Sequence, residues 1–144
     1  MNTARWAGKS RNRLLTTRRH VMNENPTDAY EQYELGVGYF RGEGVPQDAK
    51  KALYWLTKSA EQDQVEAQLF LGDIYSQMVK DYKKAAYWYS KAAEQGDANG
   101  QCNLGVCYEN GDGVPQDIDK AIYWYTKAAD QGFEDAQHAL NDLL

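Results

Sequence analysis

The sequence predicts an all-α protein built as an α-solenoid, in which about three helix-turn-helix repeats stack in a row and a C-terminal capping helix closes the stack. Two observations predict this class. The same landmarks, Leu-Gly, Tyr, Ala and Trp, return three times in the same order along residues 28–144. Within each repeat they follow i, i+3, i+4, i+7 spacing, which places them on one helix face. A helix pair this short cannot bury its own apolar face, so the repeats must stack on one another.

The 144-residue length is enough for one domain and too short for two independent cores, so we expect residues 28–144 to form one domain. Apolar residues make up 42% of the chain and charged residues 26%, which allows a buried core. No apolar run approaches the roughly 18 residues that a membrane-spanning helix needs. These features predict a soluble protein.

Charge is divided unevenly along the chain. Residues 1–27 carry six basic residues against one acidic residue, whereas residues 28–144 carry ten basic residues against twenty acidic ones. We predict that residues 1–27 are a basic N-terminal tail. Four interpretations stay open for it: a solvated tail, a mitochondrial transit peptide, a basic arm for anionic partners, or an extension upstream of a start at Met22. Aromatic residues are almost absent from the basic stretch, so a nucleic-acid partner is not expected.

The landmarks divide the remaining chain into three repeats and a cap. The predicted boundaries are residues 28–64 for repeat 1, 65–97 for repeat 2, 98–133 for repeat 3 and 134–144 for the capping helix. A glycine in mid-helix costs about 1 kcal/mol relative to alanine. We therefore expect another helix to cross closely at Gly36, Gly72 and Gly105. The capping helix has Asn141 in the glycine's place, since no further helix needs to approach.

Two nearly identical stretches, GEGVPQDAKKA and GDGVPQDIDKA, connect the paired helices of repeats 1 and 3. In the first stretch, Gly42 and Gly44 are predicted to adopt backbone conformations that other residues resist. Val45 is predicted to anchor the turn to the core, and Asp48 to cap the second helix through its carboxylate.

Repeat 2 contains a shorter version of this connection, QMVKDYKKA, which has lost three residues and the Gly-x-Gly bend. Counting back from Ala85, Met78 stands in the place of the valine anchor and Asp81 in the place of the capping aspartate. We therefore expect both the anchor and the cap to be retained.

The segments LGVGYFRGEGVPQDAKKALYWLTKSAEQ and LGVCYENGDGVPQDIDKAIYWYTKAADQG resemble Sel1-like repeats, relatives of the tetratricopeptide repeat. The resemblance covers about 117 of the 144 residues. It implies a right-handed α-solenoid that serves as an adaptor between other proteins. Two features depart from the family pattern: the shortened loop of repeat 2, and Asp63, which stands where Gly96 and Gly132 close the second helix of the other repeats.

The first helices of a solenoid line a concave groove that suits a peptide or a partner helix. Phe70 is distinctive on this face because its counterparts are Glu34 and Asn103. It is predicted either to anchor a partner or to pack against the short loop of repeat 2. The predicted partner-binding residues are Glu34, Val37, Arg41, Phe70, Asp73, Gln77, Asn103, Val106 and Asn110.

A second candidate surface lies on the outer helices. Tyr54, Tyr87 and Tyr123 each precede the landmark tryptophan and each lie four residues before a lysine. On a helical wheel they point away from the core. Two interpretations are open: the tyrosines pack against the lysine stems, or they form a second partner surface.

The sequence contains no recognisable catalytic constellation. His20 and His138 have no partner at the spacing of a metal ligand or a triad. Asp112, Asp117 and Asp119 do not match a calcium loop. We predict no catalytic residues, no cofactor, no metal and no enzymatic activity.

Cys102 and Cys107 are the only cysteines. On one helix they would be separated by about 7.5 Å of rise and more than a full turn, which is too far for a disulfide. We predict structural roles for both thiols and a reducing compartment.

We therefore predict a non-catalytic scaffold or adaptor that binds a protein or peptide in the groove. One alternative is an inhibitory binder, such as a toxin-immunity protein. A further alternative, a β-lactam-binding or hydrolysing enzyme, comes from cysteine-rich relatives that depend on recurring cysteine pairs. The expected location is the cytoplasm, or the mitochondrial matrix if the basic tail is a transit peptide.

Overall fold

The computed structural model describes residues 23–144. Most of the predicted basic tail, and the interpretations attached to it, lie outside these residues. The described part contains α-helices and no strands, so the predicted all-α class is confirmed. The helices are α1 Ala29–Arg41, α2 Ala49–Glu61, α3 Val65–Asp73, α4 Tyr82–Glu94, α5 Ala98–Asn110, α6 Ile118–Ala129 and α7 Glu134–Leu143.

The chain divides into two compact units, one ending at Ala67 and the other covering Gln68–Leu144. In the first unit α1 packs against α2. In the second unit each helix from α4 to α7 packs against the next one along the chain. Among residues 23–144, no helix is both long enough and apolar enough to cross a membrane.

Aspartates begin most of the helices. Oδ1 of Asp48, Asp81 and Asp117 each accepts a hydrogen bond of 3.1 Å from the backbone N–H three residues later. These bonds satisfy amides that have no partner inside the helix. The predicted caps at Asp48 and Asp81 are therefore confirmed.

The connections of repeats 1 and 3 bend as predicted. Gly42 and Gly44 have φ of 74° and 81°, in the left-handed region that favours glycine. Val45 is half-buried and packs against the cluster that contains Leu35 and Tyr39. The glutamine that follows the proline also caps the preceding helix, since Nε2 of Gln47 donates to the carbonyl of Phe40 at 2.9 Å.

The connection of repeat 2 differs from the prediction at Met78. After α3 the chain continues as a π-helical segment, Ile74–Val79, and ends at Lys80 with a φ of 64°. The side chain of Met78 is 65% exposed, so the prediction that it anchors the loop was wrong. The physical reason is loop length. In every repeat the N–H of the capping aspartate donates to the carbonyl of the landmark tyrosine, at 2.8 Å between Asp81 and Tyr75. Repeat 2 forms this hydrogen bond with three fewer residues in the loop. The loop is therefore too short to turn the side chain of Met78 toward the core.

The glycines of the first helices lie against neighbouring helices, as predicted. A Cβ on Gly36 would be 2.7 Å from Cγ of Leu56, and a Cβ on Gly72 would collide with the ring of Tyr89. These are contacts between the two helices of a repeat. The glycines thus allow the helix pairs to approach closely, which justifies their cost to helix stability.

The core of the second unit contains small residues between aromatic rings. Ala85, Ala86 and Ala93 of α4 pack with Tyr89 and with Leu104 of α5. Trp88 is buried, with 8% of its surface exposed, in agreement with its predicted place in the stack. Further along the chain, Tyr125 packs with residues of α5 and α7 in a second cluster.

Candidate binding surfaces

In the first unit, α1 carries the predicted face residues on its partly exposed side. Glu34 and Val37 are half-buried, and Arg41 is exposed in the last turn of the helix. The buried side of the same helix holds Gln32 and Leu35. The helical wheel therefore assigned the two sides of α1 correctly, while the partner-binding role of the face stays a prediction.

In the second unit, the predicted face residues lie on α3, on its π-helical continuation and on α5. Phe70 and Asn103 are half-buried, and Asp73, Gln77 and Asn110 are exposed. Val106 is an apolar side chain with 39% of its surface exposed. Phe70 is thus less exposed than an isolated anchor would be, and its role in binding remains a prediction.

Asp73 also has a structural contact that sequence reasoning missed. Its Oδ1 accepts a hydrogen bond of 2.7 Å from the hydroxyl of Tyr89, and in repeat 3 the hydroxyl of Tyr125 donates to Oε1 of Glu109 at the same distance. Burial of the rings and these bonds raise the pKa of both tyrosines well above its usual value. In repeat 1 the corresponding residue is Leu56, which has no hydroxyl group. Repeat 1 therefore lacks this hydrogen bond.

Glutamine pairs are a second feature that the sequence analysis missed. Gln68 and Gln101 are fully buried. Each accepts a hydrogen bond at Oε1, of 2.9 Å, from the side-chain amide of a glutamine at the end of the second helix, Gln95 and Gln131 respectively. Gln62 makes the equivalent bond to Gln32 in the first unit, at 2.6 Å. The signal was present in the sequence, because a glutamine precedes each Leu-Gly pair by three residues.

The outer tyrosines are exposed and each is held between two neighbours. Tyr54, Tyr87 and Tyr123 meet the following tryptophan edge to face, with ring centroids 4.9 to 5.1 Å apart. The ammonium of the lysine four residues later lies 5.4 to 5.8 Å from each tyrosine ring. These contacts support the packing interpretation, and a second partner surface stays a prediction.

An open cleft of about 610 Å³ lies in the second unit, beside the C-terminal ends of α4 and α6. Trp124 and Tyr123 form its apolar wall, and the charged residues at its rim are Glu94, Lys127 and Asp130. Its lining contains no histidine, cysteine or serine.

The two cysteines lie on α5, as predicted, and both are buried free thiols. Burial raises the pKa of each thiol to about 11, so both stay protonated at neutral pH. A protonated buried thiol is a poor nucleophile and a poor metal ligand. Within residues 23–144, no group of three or more His, Cys, Asp and Glu side chains is placed to hold a metal ion.

Helix pairs with glycine contacts, αL bends and aspartate caps repeated in register define a helical repeat protein. The family model of the Sel1 repeat matches residues 32–64, 65–97 and 98–133. The chain therefore belongs to the Sel1 repeat family, and the predicted resemblance is confirmed.

Solved structures of the same kind are similar to this chain. A Sel1 repeat protein from Oxalobacter formigenes is 37% identical, with a TM-score of 0.76 over 78% of this chain and 34% of that protein. A protective antigen present in uropathogenic Escherichia coli strains, displaying an SLR fold, is 36% identical, with a TM-score of 0.74 over 81% of this chain and 26% of that protein. The chain thus spans about a third or less of these two proteins.

Cysteine rich protein B from Helicobacter pylori is closer in length. It is 30% identical, with a TM-score of 0.63 over 77% of this chain and 81% of that protein. No curated protein sequence matches the chain.

Proposed function

We propose that this protein is a non-catalytic scaffold that binds a protein or a peptide segment through the first-helix faces of its repeats. Sel1 repeats generally serve as protein-protein interaction scaffolds, and this chain belongs to that family. Two protonated buried thiols and the lack of a metal-holding cluster among residues 23–144 are in accord with a binding role.

The observation that carries the proposal is the contrast between the two sides of the first helices. The buried side repeats the same residues, as at Leu35, Leu71 and Leu104, all almost fully buried. On the opposite side, one equivalent position holds a different residue in each repeat: Glu34, Phe70 and Asn103. The repeats thus share their buried residues and differ in the residues of the opposite side, which is the pattern expected of a face that contacts a particular partner.

Val106 is the best-defined contact point on this face. It is exposed near the middle of α5, with Asn103 three residues before it and Asn110 four residues after it. An apolar side chain flanked by amides suits an extended peptide or a helix, because it can bury one apolar side chain while the amides bond polar groups.

Affinity capture with charge and truncation variants tests this function. Full-length wild-type protein and the variants Val106→Glu, Phe70→Ala and Arg41→Glu are used to capture partners from the native host, and the captured proteins are compared by mass spectrometry. We expect each variant to lose a partner that the wild type captures, while its melting temperature barely changes.

Ile118→Glu is the matched control. Ile118 is 40% exposed, against 39% for Val106, but it begins α6 instead of lying on a first helix. Capture should be unchanged in this variant. Loss of the partner only in variants that unfold, or equal loss with Ile118→Glu, would contradict the proposed face.

The charge of the body favours a second candidate within the same class. Residues 28–144 carry twenty acidic residues against ten basic ones. An acidic protein of this size could be an inhibitory binder that covers a basic surface, as an immunity protein does with a toxin. A toxin gene beside the gene for this protein, and survival of toxin-expressing cells only when both genes are present, would support this candidate.

A further inference from the structure

The shortened connection of repeat 2 leaves a group of apolar and basic side chains in solvent. We call this group the repeat-2 loop surface, and it consists of Met78, Val79, Lys80, Tyr82 and Lys83. All five are exposed, and Val79 retains 51% of its accessible surface beside the even more exposed Met78. In repeats 1 and 3 the valine of the connection is half-buried instead. The surface is therefore specific to repeat 2.

The backbone beneath this surface is fixed by several contacts. Asp81 donates its N–H to the carbonyl of Tyr75 at 2.8 Å, and its carboxylate caps α4. On the other side, Gly113 lies so close to the carbonyl of Tyr82 that a side chain would not fit between them. A rigid apolar surface loses little conformational entropy when a partner binds, which favours affinity.

The local charge of the surface is opposite to that of the corresponding part of repeat 3. Residues 76–84 contain three lysines and one acid, Asp81, whose Oδ1 is engaged by the N–H of Lys84. Residues 109–120 contain four acids and a single lysine. The repeat-2 loop surface thus has a local positive charge, although residues 28–144 as a whole carry a net negative charge.

Exposed methionine and valine beside unburied lysines match a binding site for a segment that is both apolar and acidic. Methionine is flexible and adapts to different apolar side chains. Lysines at the edge of an apolar contact attract carboxylates and orient them, while contributing modestly to affinity. An exposed apolar group of this kind, rimmed by charge, commonly marks an interaction site.

The distance over which these charges act indicates what kind of partner binds the repeat-2 loop surface. An anionic membrane presents a broad negative surface, and the net negative charge of residues 28–144 would be repelled by it within a Debye length of about 8–10 Å. A peptide segment meets only the local basic spot. We propose that the repeat-2 loop surface docks an acidic, apolar segment of a partner protein, with apolar side chains on Met78 and Val79 and carboxylates at Lys80 and Lys83.

None of the five residues of this surface is among those proposed for the first-helix face, so its test does not depend on the proposed scaffold function. A random peptide library displayed on phage is selected on immobilised full-length wild-type protein and, in parallel, on the Met78→Gln/Lys83→Glu double variant. Peptides enriched only on the wild type are then synthesised, and their Kd is measured by fluorescence anisotropy at low and high salt.

We expect the enriched peptides to combine aspartate or glutamate with large apolar residues. Their Kd should rise about tenfold with Lys83→Glu and with Met78→Gln tested singly, which corresponds to the loss of one good contact each. Binding should weaken as salt is raised. Lys50→Glu is the matched control, because Lys50 is the second residue of α2 as Lys83 is of α4, and it should leave the Kd unchanged.

Three results would overturn the proposal. The first is an enriched pool without acidic residues, or one that the double variant binds equally well. The second is failure of the peptide selection together with sedimentation of the wild type on phosphatidylcholine vesicles that contain phosphatidylserine, which would make the surface a membrane contact. The third is a concentration-dependent dimer that Met78→Gln abolishes, which would make a second copy the occupant.

Discussion

The ring of Tyr125 fills the space beside Gly105 into which any other residue would project its Cβ. That atom would lie 2.7 Å from both Cδ1 and Cε1 of the ring. The same relationship holds for Gly36 with Leu56 and for Gly72 with Tyr89, so each repeat sets the distance between its helices by one glycine and one large side chain.

Gly105→Ala should therefore destabilise the protein although alanine is the better helix former. Overpacking costs about 1–3 kcal/mol, and the gain in helix propensity is about 1 kcal/mol. We expect a net loss of up to about 2 kcal/mol in the free energy of unfolding, measured by urea denaturation. Asn99→Ala, at an exposed position of the same helix, is the control and should be neutral or stabilising. Equal stabilisation by the two substitutions would show that the helices are not in close contact.

Trp88→Ala should be among the most damaging single substitutions. The side chain is almost fully buried, and its removal should cost about 3–5 kcal/mol. Because small domains have about 5–15 kcal/mol of stability, this loss could unfold the chain at room temperature. Circular dichroism during thermal unfolding would measure it. Tyr87→Ala, the exposed neighbour, should cost below about 1 kcal/mol. A small effect of Trp88→Ala would contradict its central place in the stack.

Lys80→Gly should stabilise the protein. Lys80 ends the π-helical segment with a φ of 64°, a conformation that costs a residue with a side chain roughly 1–2 kcal/mol and glycine much less. Part of that gain is offset by the greater freedom of glycine in the unfolded chain, so we expect about 0.5–1 kcal/mol. The reverse substitution, Gly111→Lys at a φ of 75°, should destabilise by a similar amount or more. Both changes can be followed by the midpoint of urea unfolding. A lower midpoint for Lys80→Gly would show that the αL position is not strained.

Stability should fall at alkaline pH. Burial raises the pKa of the Cys102 and Cys107 thiols to about 11, against about 8.5 in an unfolded chain. Between these values the unfolded state loses thiol protons that the folded state keeps, so the free energy of unfolding decreases as pH rises. Tyr89 and Tyr125, whose pKa values are also raised, add to the loss above about pH 10.

The expected decrease can be checked by measuring the midpoint of urea unfolding, with a reducing agent present, from about pH 7 to about pH 11. This interval includes the thiol pKa of the unfolded chain, about 8.5, and that of the folded protein, about 11. The Cys102→Ala/Cys107→Ala double variant should show a flatter decline between about pH 8.5 and pH 10 than the wild type. A wild-type midpoint that stays constant over that interval would contradict the raised thiol pKa values.

Features set by one stretch of chain were predictable from the sequence. The caps at Asp48 and Asp81 and the bend at Gly42 depend on residues within a few positions of each other, and the repetition of the pattern removes ambiguity. The helical face of Val106 could be predicted for the same reason.

Features that depend on side chains far apart in the sequence were missed. The bond from Tyr89 to Asp73 joins residues 16 positions apart, and that from Gln131 to Gln101 joins residues 30 apart. The exposure of Met78 could not be inferred from counting positions, because it depends on the length of chain available to close the loop. The candidate face could be located from the sequence, but its partner depends on a second molecule.

The hydrogen bond from the capping aspartate N–H to the landmark tyrosine carbonyl forms in loops of different length. Eight residues lie between Tyr39 and Asp48, and five lie between Tyr75 and Asp81. We therefore expect the loop between the tyrosine and the aspartate to tolerate changes in length and sequence, because the hydrogen bond that closes it is the same in each repeat. Foreign epitopes or recognition tags inserted after Gly42 or Gly111 should be displayed on an intact protein, which makes this small repeat a practical carrier for loop grafting.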